Sequence, residues 1–273
     1  MRDRTVSLRA RKRRSGAIVA AFALLSASAL AQAPAAPDPW PGLVADIFQG
    51  RAVTEQGGFV SLLAPVRAED AAIVPITIRL DEPASRIRKA TLVIDQNPMP
   101  MAAAFAFGEQ AGVTTIETRV RVNSYTNVHV VAETQDGALH STVKFVKASG
   151  GCSAPAVKDQ DEATANLGKM KYREFKSADP NLREAQIMIR HPNSSGMQMD
   201  QLTHLYIPAH YVDKVVVWQG DDLVFAMEGG ISLSEDPNFR FTYKPNGAKT
   251  IRVEAHDSRG GLFKGEWPIG GAS

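Results

Sequence analysis

One cysteine in 273 residues, Cys152, rules out an internal disulfide and every metal centre built on paired cysteines. The chain also lacks a phosphate-cradling glycine loop, a Gly-x-Ser-x-Gly elbow and a His-Glu-x-x-His helix, so the common nucleotide-dependent, hydrolase and zincin chemistries have no foothold. Beyond residue 30 no apolar run approaches the roughly 18 residues that a membrane helix needs. Surplus positive charge is missing too. Of 31 Lys and Arg against 29 Asp and Glu, seven basic residues fall within the first 31 positions, and the remainder is net acidic. Nucleic acid is therefore a poor partner for the rest of the chain.

What is present begins with an export signal. Arg2, Arg4, Arg9, Arg11, Lys12, Arg13 and Arg14 form a basic region, Ala17 to Leu30 is apolar, and Ala29-Leu30-Ala31 supplies a small-x-small cleavage site. Residues 1–31 are thus expected to be a signal peptide that sends the chain to the periplasm, with no membrane attachment after cleavage. Arg13-Arg14 keeps the twin-arginine route open beside general secretion. Pro34 to Pro37 reads as a tether. Asp38-Pro39 then opens a short helix in which Trp40, Leu43, Val44, Ile47 and Phe48 share one face, and Gly50 stops it.

From Phe59 the apolar period becomes two. Val74, Ile76, Ile78 and Leu80 alternate with Pro75, Thr77 and Arg79, the pattern of a half-buried strand with Pro75 at an edge or bulge. Further strands are expected at residues 87–95, 102–107, 113–122, 128–134 and 139–147, with Asp136-Gly137 as a hairpin turn. A polar linker follows over 157–167. Strands resume at 170–175, 185–190, 211–219, 222–227, 239–243, 248–256 and 262–267. Many short strands with few helices predict an all-β chain of two antiparallel sandwiches in tandem, at 38–148 and 169–273, with an arm and linker at 149–168 between them.

Two groups of residues carry candidate chemistry. Cys152 follows Gly150-Gly151 and precedes Ser153-Ala154-Pro155, with no apolar periodicity around it, which predicts an accessible thiol on a loop; the alternative is an incidental buried cysteine. Only the thiolate is nucleophilic, and Lys147 and Lys158 flank the segment as charges that favour it. Gly150 and Gly151 are candidate hinge residues. The second group is His191, Met197, Met199 and His204, whose thioether and imidazole donors suit Cu(I), against the alternative that such methionines simply fill gaps.

Arg190-His191-Pro192-Asn193 to Gly196, Asp200, Ile207-Pro208-Ala209, Asp236-Pro237 and Phe239-Arg240-Phe241 together resemble the SoxZ half of the sulfur-oxidation carrier SoxYZ. Upstream, Asn97-Pro98-Met99-Pro100, Thr118-Arg119-Val120 and Asp136-Gly137 leading into Gly150-Gly151-Cys152 resemble the SoxY half. In order and extent the chain resembles the single-chain SoxY–SoxZ fusions described as quinoprotein dehydrogenase-associated carriers. The resemblance implies Ig-like sandwiches that pack on each other. It also implies a carrier without a catalytic site or cofactor of its own, with Cys152 as the covalent carrier of sulfur intermediates, as in thiosulfate oxidation, and Gly150 and Gly151 as its hinge. The implied partners are periplasmic redox enzymes of sulfur or quinoprotein-dependent oxidation. An accessory or copper-binding module that serves such a dehydrogenase without needing Cys152 is the alternative. In separate SoxY chains the arm ends Gly-Gly-Cys-Gly-Gly; here Ser153 and Ala154 replace the last glycines and the chain continues, so the arm must reach a partner as a loop.

Overall fold

Among the described residues the alternating pattern folds as its period dictates, into strands, with a helix ahead of them. The structure, a computed structural model, describes residues 37–55, 58–81, 86–155 and 165–270. The expected signal peptide, most of the tether and linker residues 156–164 lie outside the described residues. Helix α1 spans Trp40–Phe48, entered through Pro39 and closed by Gln49 in the left-handed region. Fifteen strands follow: β1 (Val53–Glu55), β2 (Val60–Leu63), β3 (Val74–Leu80), β4 (Ile87–Ile94), β5 (Met101–Phe107), β6 (Thr115–Val120), β7 (Thr126–Thr134), β8 (Leu139–Val146), β9 (Met170–Phe175), β10 (Arg183–Ile189), β11 (Val212–Gln219), β12 (Asp222–Gly229), β13 (Asn238–Tyr243), β14 (Thr250–Asp257) and β15 (Leu262–Pro268).

They form two sheets, and both sheets run through both halves of the chain. The larger has the order β1-β8-β7-β4-β5-β12-β11-β14-β15 and the smaller β2-β3-β6-β13-β10-β9. Each half is a sandwich in its own right, and the two sandwiches meet edge to edge rather than face to face. In the large sheet β5 pairs antiparallel with β12, from Phe107 opposite Phe225 to Ala103 opposite Gly229. In the small sheet β6 pairs with β13 through Ile116 opposite Phe241 and Glu117 opposite Arg240. This joint satisfies two strand edges that would otherwise present unpaired N–H and C=O groups. Between the sheets lies one apolar core drawing on both halves. At the seam the rings of Phe105 and Phe225 meet edge to face at 6.0 Å, Phe105 and Phe239 at 6.2 Å, and Phe225 and Phe241 at 5.1 Å.

A second, smaller cluster explains why β4 and β7 are apolar on successive residues. Val93, Val131 and Leu139 point away from the main core and pack with Phe48, covered by the Trp40, Leu43, Val44 and Ile47 face of α1. Pro75 sits in β3, which is flanked by β2 and β6. The β2 pairing reaches only from Leu80 to Thr77, so Pro75 lies where β3 overhangs its neighbour and its missing N–H removes no ladder bond on that side. Strand β1, three residues pairing in parallel with β8 from Val53 opposite Leu139 to Glu55 opposite Ser141, is too short to register as a period in the sequence.

Candidate functional site

The segment leaving β8 carries Cys152 back across the first sandwich to the second. Gly150 N–H donates to the Asn123 carbonyl at 2.8 Å and Gly151 N–H to the Val122 carbonyl at 3.1 Å. Ser153 N–H then returns to the Gly150 carbonyl at 3.1 Å, closing a tight turn with the cysteine inside it. Both glycines are required by this path, for different reasons. Gly150 holds φ +78°, and a Cβ there would meet only Ser153 Oγ, at an ordinary contact distance of 3.9 Å. Gly151 has an ordinary φ, but a Cβ there would lie 2.0 Å from the Ala71 carbonyl oxygen and 2.7 Å from that of Val122. In this structure both are held as turn residues.

The thiol is also not on the surface: Cys152 has 0% exposure. The expectation of an accessible cysteine came from its small, polar neighbours, which are indeed partly exposed; burial is supplied by residues distant in sequence. From the second half, Ser195 Oγ donates to the Cys152 carbonyl and Gln198 Nε2 to the Ala154 carbonyl at 3.0 Å. The Ser195 and Gln198 side chains are themselves set locally, since Ser195 N–H donates to Gln198 Oε1 at 3.1 Å and Met197 N–H to Ser195 Oγ at 3.1 Å. The loop 193–198 is therefore a clamp closed on the arm.

Beneath the arm lies Arg121, 2% exposed. Its Nη1 donates to the Gly151 carbonyl at 3.3 Å and its Nη2 to the Asn193 carbonyl at 3.4 Å, while Nε is buried with no partner. Asn97 braces this stretch: its Nδ2 donates to the Arg121 carbonyl at 2.7 Å and to Ser232 Oγ at 2.9 Å, and its Oδ1 accepts from Asn123 N–H at 2.9 Å. Burial pushes the Cys152 thiol up, and the Arg121 charge opposes this without cancelling it. Burial in turn lowers the Arg121 guanidinium, against the pull of Cys152, Glu235 and Asp70. In the closed state Cys152 is thus held as a neutral thiol. Arg121 is the cation that acts on it; Lys147 is not among the charges that do, and Lys158 lies outside the described residues.

The histidine and methionine group divides. His204, at φ +56°, and Met199, 38% exposed, lie on an outer loop. His191 instead lies buried with His210 and Asp257, the three having ligand-type atoms within 4.8 Å of one another. Hydrogen bonding assigns the protons. Asn193 N–H donates to His191 Nδ1 at 3.0 Å, so Nε2 carries the proton of the neutral ring and faces Asp257 Oδ2 at 3.5 Å. His210 Nε2 stands 2.8 Å from the same oxygen. Nε2 itself finds no hydrogen-bond partner, and it is Nδ1 that ties the ring to the clamp loop through Asn193. Burial, with His210 adding to it, lowers His191 to about 4. Burial pushes Asp257 the other way, but the His210 bond and the N–H groups of Gly261 and Arg259 outweigh it and bring the carboxyl to about 2.

Asn97, Asn193 and Ser195 fall within recognised motifs, whereas Arg121, Gln198 and Asp257 give no sign of a role in the sequence. Arg121 falls out of phase with the buried Ile116, Thr118, Val120 and Val122, a position that reads as solvent-facing until the other half of the chain is placed against it.

With this geometry in place, comparison with known proteins is direct. The family model for "Sulfur oxidation protein SoxY" matches residues 44–152, ending on Cys152, and that for "Sulphur oxidation protein SoxZ" matches residues 170–268. Among solved structures the chain is similar to that of the sulfur carrier protein SoxY from Chlorobium limicola f thiosulfatophilum, at 24% identity over 40% of this chain and 91% of that one, with a TM-score of 0.35. No curated protein sequence matches. The two models cover the two sandwiches in turn and meet across the arm, and the chain belongs to the SoxY–SoxZ family as a fusion of both domains on one polypeptide.

Proposed function

We propose that this protein is a periplasmic carrier that holds a sulfur intermediate covalently on Cys152 and presents it to partner enzymes. The observation that carries this reading is the position of Cys152, the last residue of the SoxY match, on a turn that the SoxZ half grips through Ser195 and Gln198. A thiol sealed in this way is protected between encounters from oxidation and from exchange with stray thiols. Delivery requires the turn to leave the clamp, which exchanges a few hydrogen bonds for water and leaves both sheets intact. The partners are redox enzymes of sulfur oxidation or of quinoprotein-dependent oxidation. The protein needs no cofactor of its own, because the reactive group is the adduct. The copper-binding alternative is not favoured, since His191 is buried while Met199 and His204 lie on an outer loop.

Intact-mass measurement of the mature protein purified from its own host tests the proposal. A sulfur-containing mass increment that is lost on reduction and absent from Cys152→Ser supports it. A bare thiol under sulfur-oxidising growth, or an increment that survives Cys152→Ser, overturns it.

A further inference from the structure

Arg121 is more than the carrier reading requires. A guanidinium offers five N–H donors. Here two contacts run to backbone carbonyls at 3.3 and 3.4 Å, long for charged donors, and Nε has no partner. None of its hydrogen bonds goes to a carboxylate among the described residues; Glu235 and Asp70 act on it only through space. Burying a cation with so little direct compensation is unfavourable, and the group beside it, the Cys152 thiol, is neutral in the closed state. The guanidinium therefore keeps unused donor capacity beside the turn that would carry the adduct.

Building on the carrier reading, we propose that Arg121 is the anion-binding residue for the loaded arm, taking adducts on Cys152 that end in negative charge, such as a persulfide or a thiosulfonate, and retaining them more firmly than the free thiol or a neutral adduct. The charge that arrives with the sulfur completes the partnership that the empty carrier lacks. A loaded arm is thus held closed, and an unloaded one is released more readily to be charged again. A partner enzyme that neutralises or removes the anion also frees the arm.

Two labels separate charge from size. Tetrathionate reacts with the Cys152 thiolate at an inner sulfur, expelling thiosulfate and leaving Cys152–S–S–SO3⁻. Methyl methanethiosulfonate reacts by expelling methanesulfinate and leaves the neutral Cys152–S–S–CH3. Loss of each label to dithiothreitol is followed by intact mass in wild type, Arg121→Gln and Arg121→Lys. Removing the charge is expected to speed loss of the anionic label about tenfold, the scale of one charge-assisted hydrogen bond, and to leave the neutral label within about twofold. Arg121→Lys is expected to fall between wild type and Arg121→Gln. Equal acceleration of both labels, or of neither, overturns the proposal. Should Arg121→Gln fail to fold, the melting temperature of labelled wild type decides: the anionic form is expected to melt above the neutral one, and the reverse order overturns the proposal. A wild-type chain that accepts neither label on Cys152, even when reagent is present during refolding, refutes the carrier reading itself.

Discussion

The arm glycines differ in the kind of constraint they meet. At Gly151 the obstacle is backbone: an alanine Cβ would sit 2.0 Å from the Ala71 carbonyl, so the turn or the Ala71 segment must shift. Gly151→Ala is expected to cost about 2–3 kcal/mol in urea unfolding, as close packing against main chain does. Gly150→Ala meets only an ordinary contact with Ser153 Oγ at 3.9 Å and costs about 1 kcal/mol for φ +78°. Equal small effects at both positions would show that the turn is looser than its hydrogen bonds indicate. A second prediction concerns His191, whose ring is wholly buried. Unfolded, it takes a proton near its ordinary 6.5; folded, only near about 4. The unfolded chain therefore binds more protons between these values, and stability present above pH 6.5 is lost as pH falls through that window, by about 3 kcal/mol at most. Asp257, depressed to about 2, adds a further loss below pH 4. Thermal unfolding from pH 8 to 4 is expected to show the decline, with a flatter slope between 6.5 and 4 in His191→Gln; an unchanged slope in that variant would assign the effect elsewhere.

At the level of elements, the sequence was legible wherever period alone decides. β3 and β9 fall at the bounds that alternation predicts, and most other strands start or stop within two residues of the predicted bounds; in β3, β9, β14 and β15 buried or half-buried residues alternate with more exposed ones. α1 was legible for the same reason at period 3.6. What alternation does not carry is which edges join. The β5–β12 and β6–β13 pairs link residues more than a hundred positions apart, and nothing in either strand's own pattern marks it as a seam. The burial of Cys152 and Arg121 was hidden for the same reason, since both are covered by segments that reach them only once the seam forms. A seam built from shared strands predicts that the halves unfold together. Phe225→Ala, which removes a fully buried ring touching Phe105, Phe239 and Phe241, is expected to cost about 3–5 kcal/mol. The loss should appear as a single transition shifted for probes in both halves, such as Trp40 and Trp267. A shift confined to the SoxZ half would contradict the joint core.

For the molecule as a whole, carriage requires two states of one small segment on an otherwise fixed body. Two fused sandwiches provide that body, and the segment 150–154 is the part held by few contacts: the main-chain bonds of Gly150 and Gly151, and the side chains of Ser195, Gln198 and Arg121. Native-state alkylation of Cys152 measures its opening directly. In wild type, labelling is expected to run at least about a hundredfold slower than in the unfolded chain, yet faster than global unfolding permits, as local opening does. Ser195→Ala combined with Gln198→Ala is expected to raise that rate about tenfold or more, the worth of two hydrogen bonds, while the melting temperature moves by only a few degrees. Wild-type labelling as fast as in the unfolded chain, or labelling that tracks global unfolding and ignores the clamp substitutions, would contradict a sealed carrier thiol released by its arm.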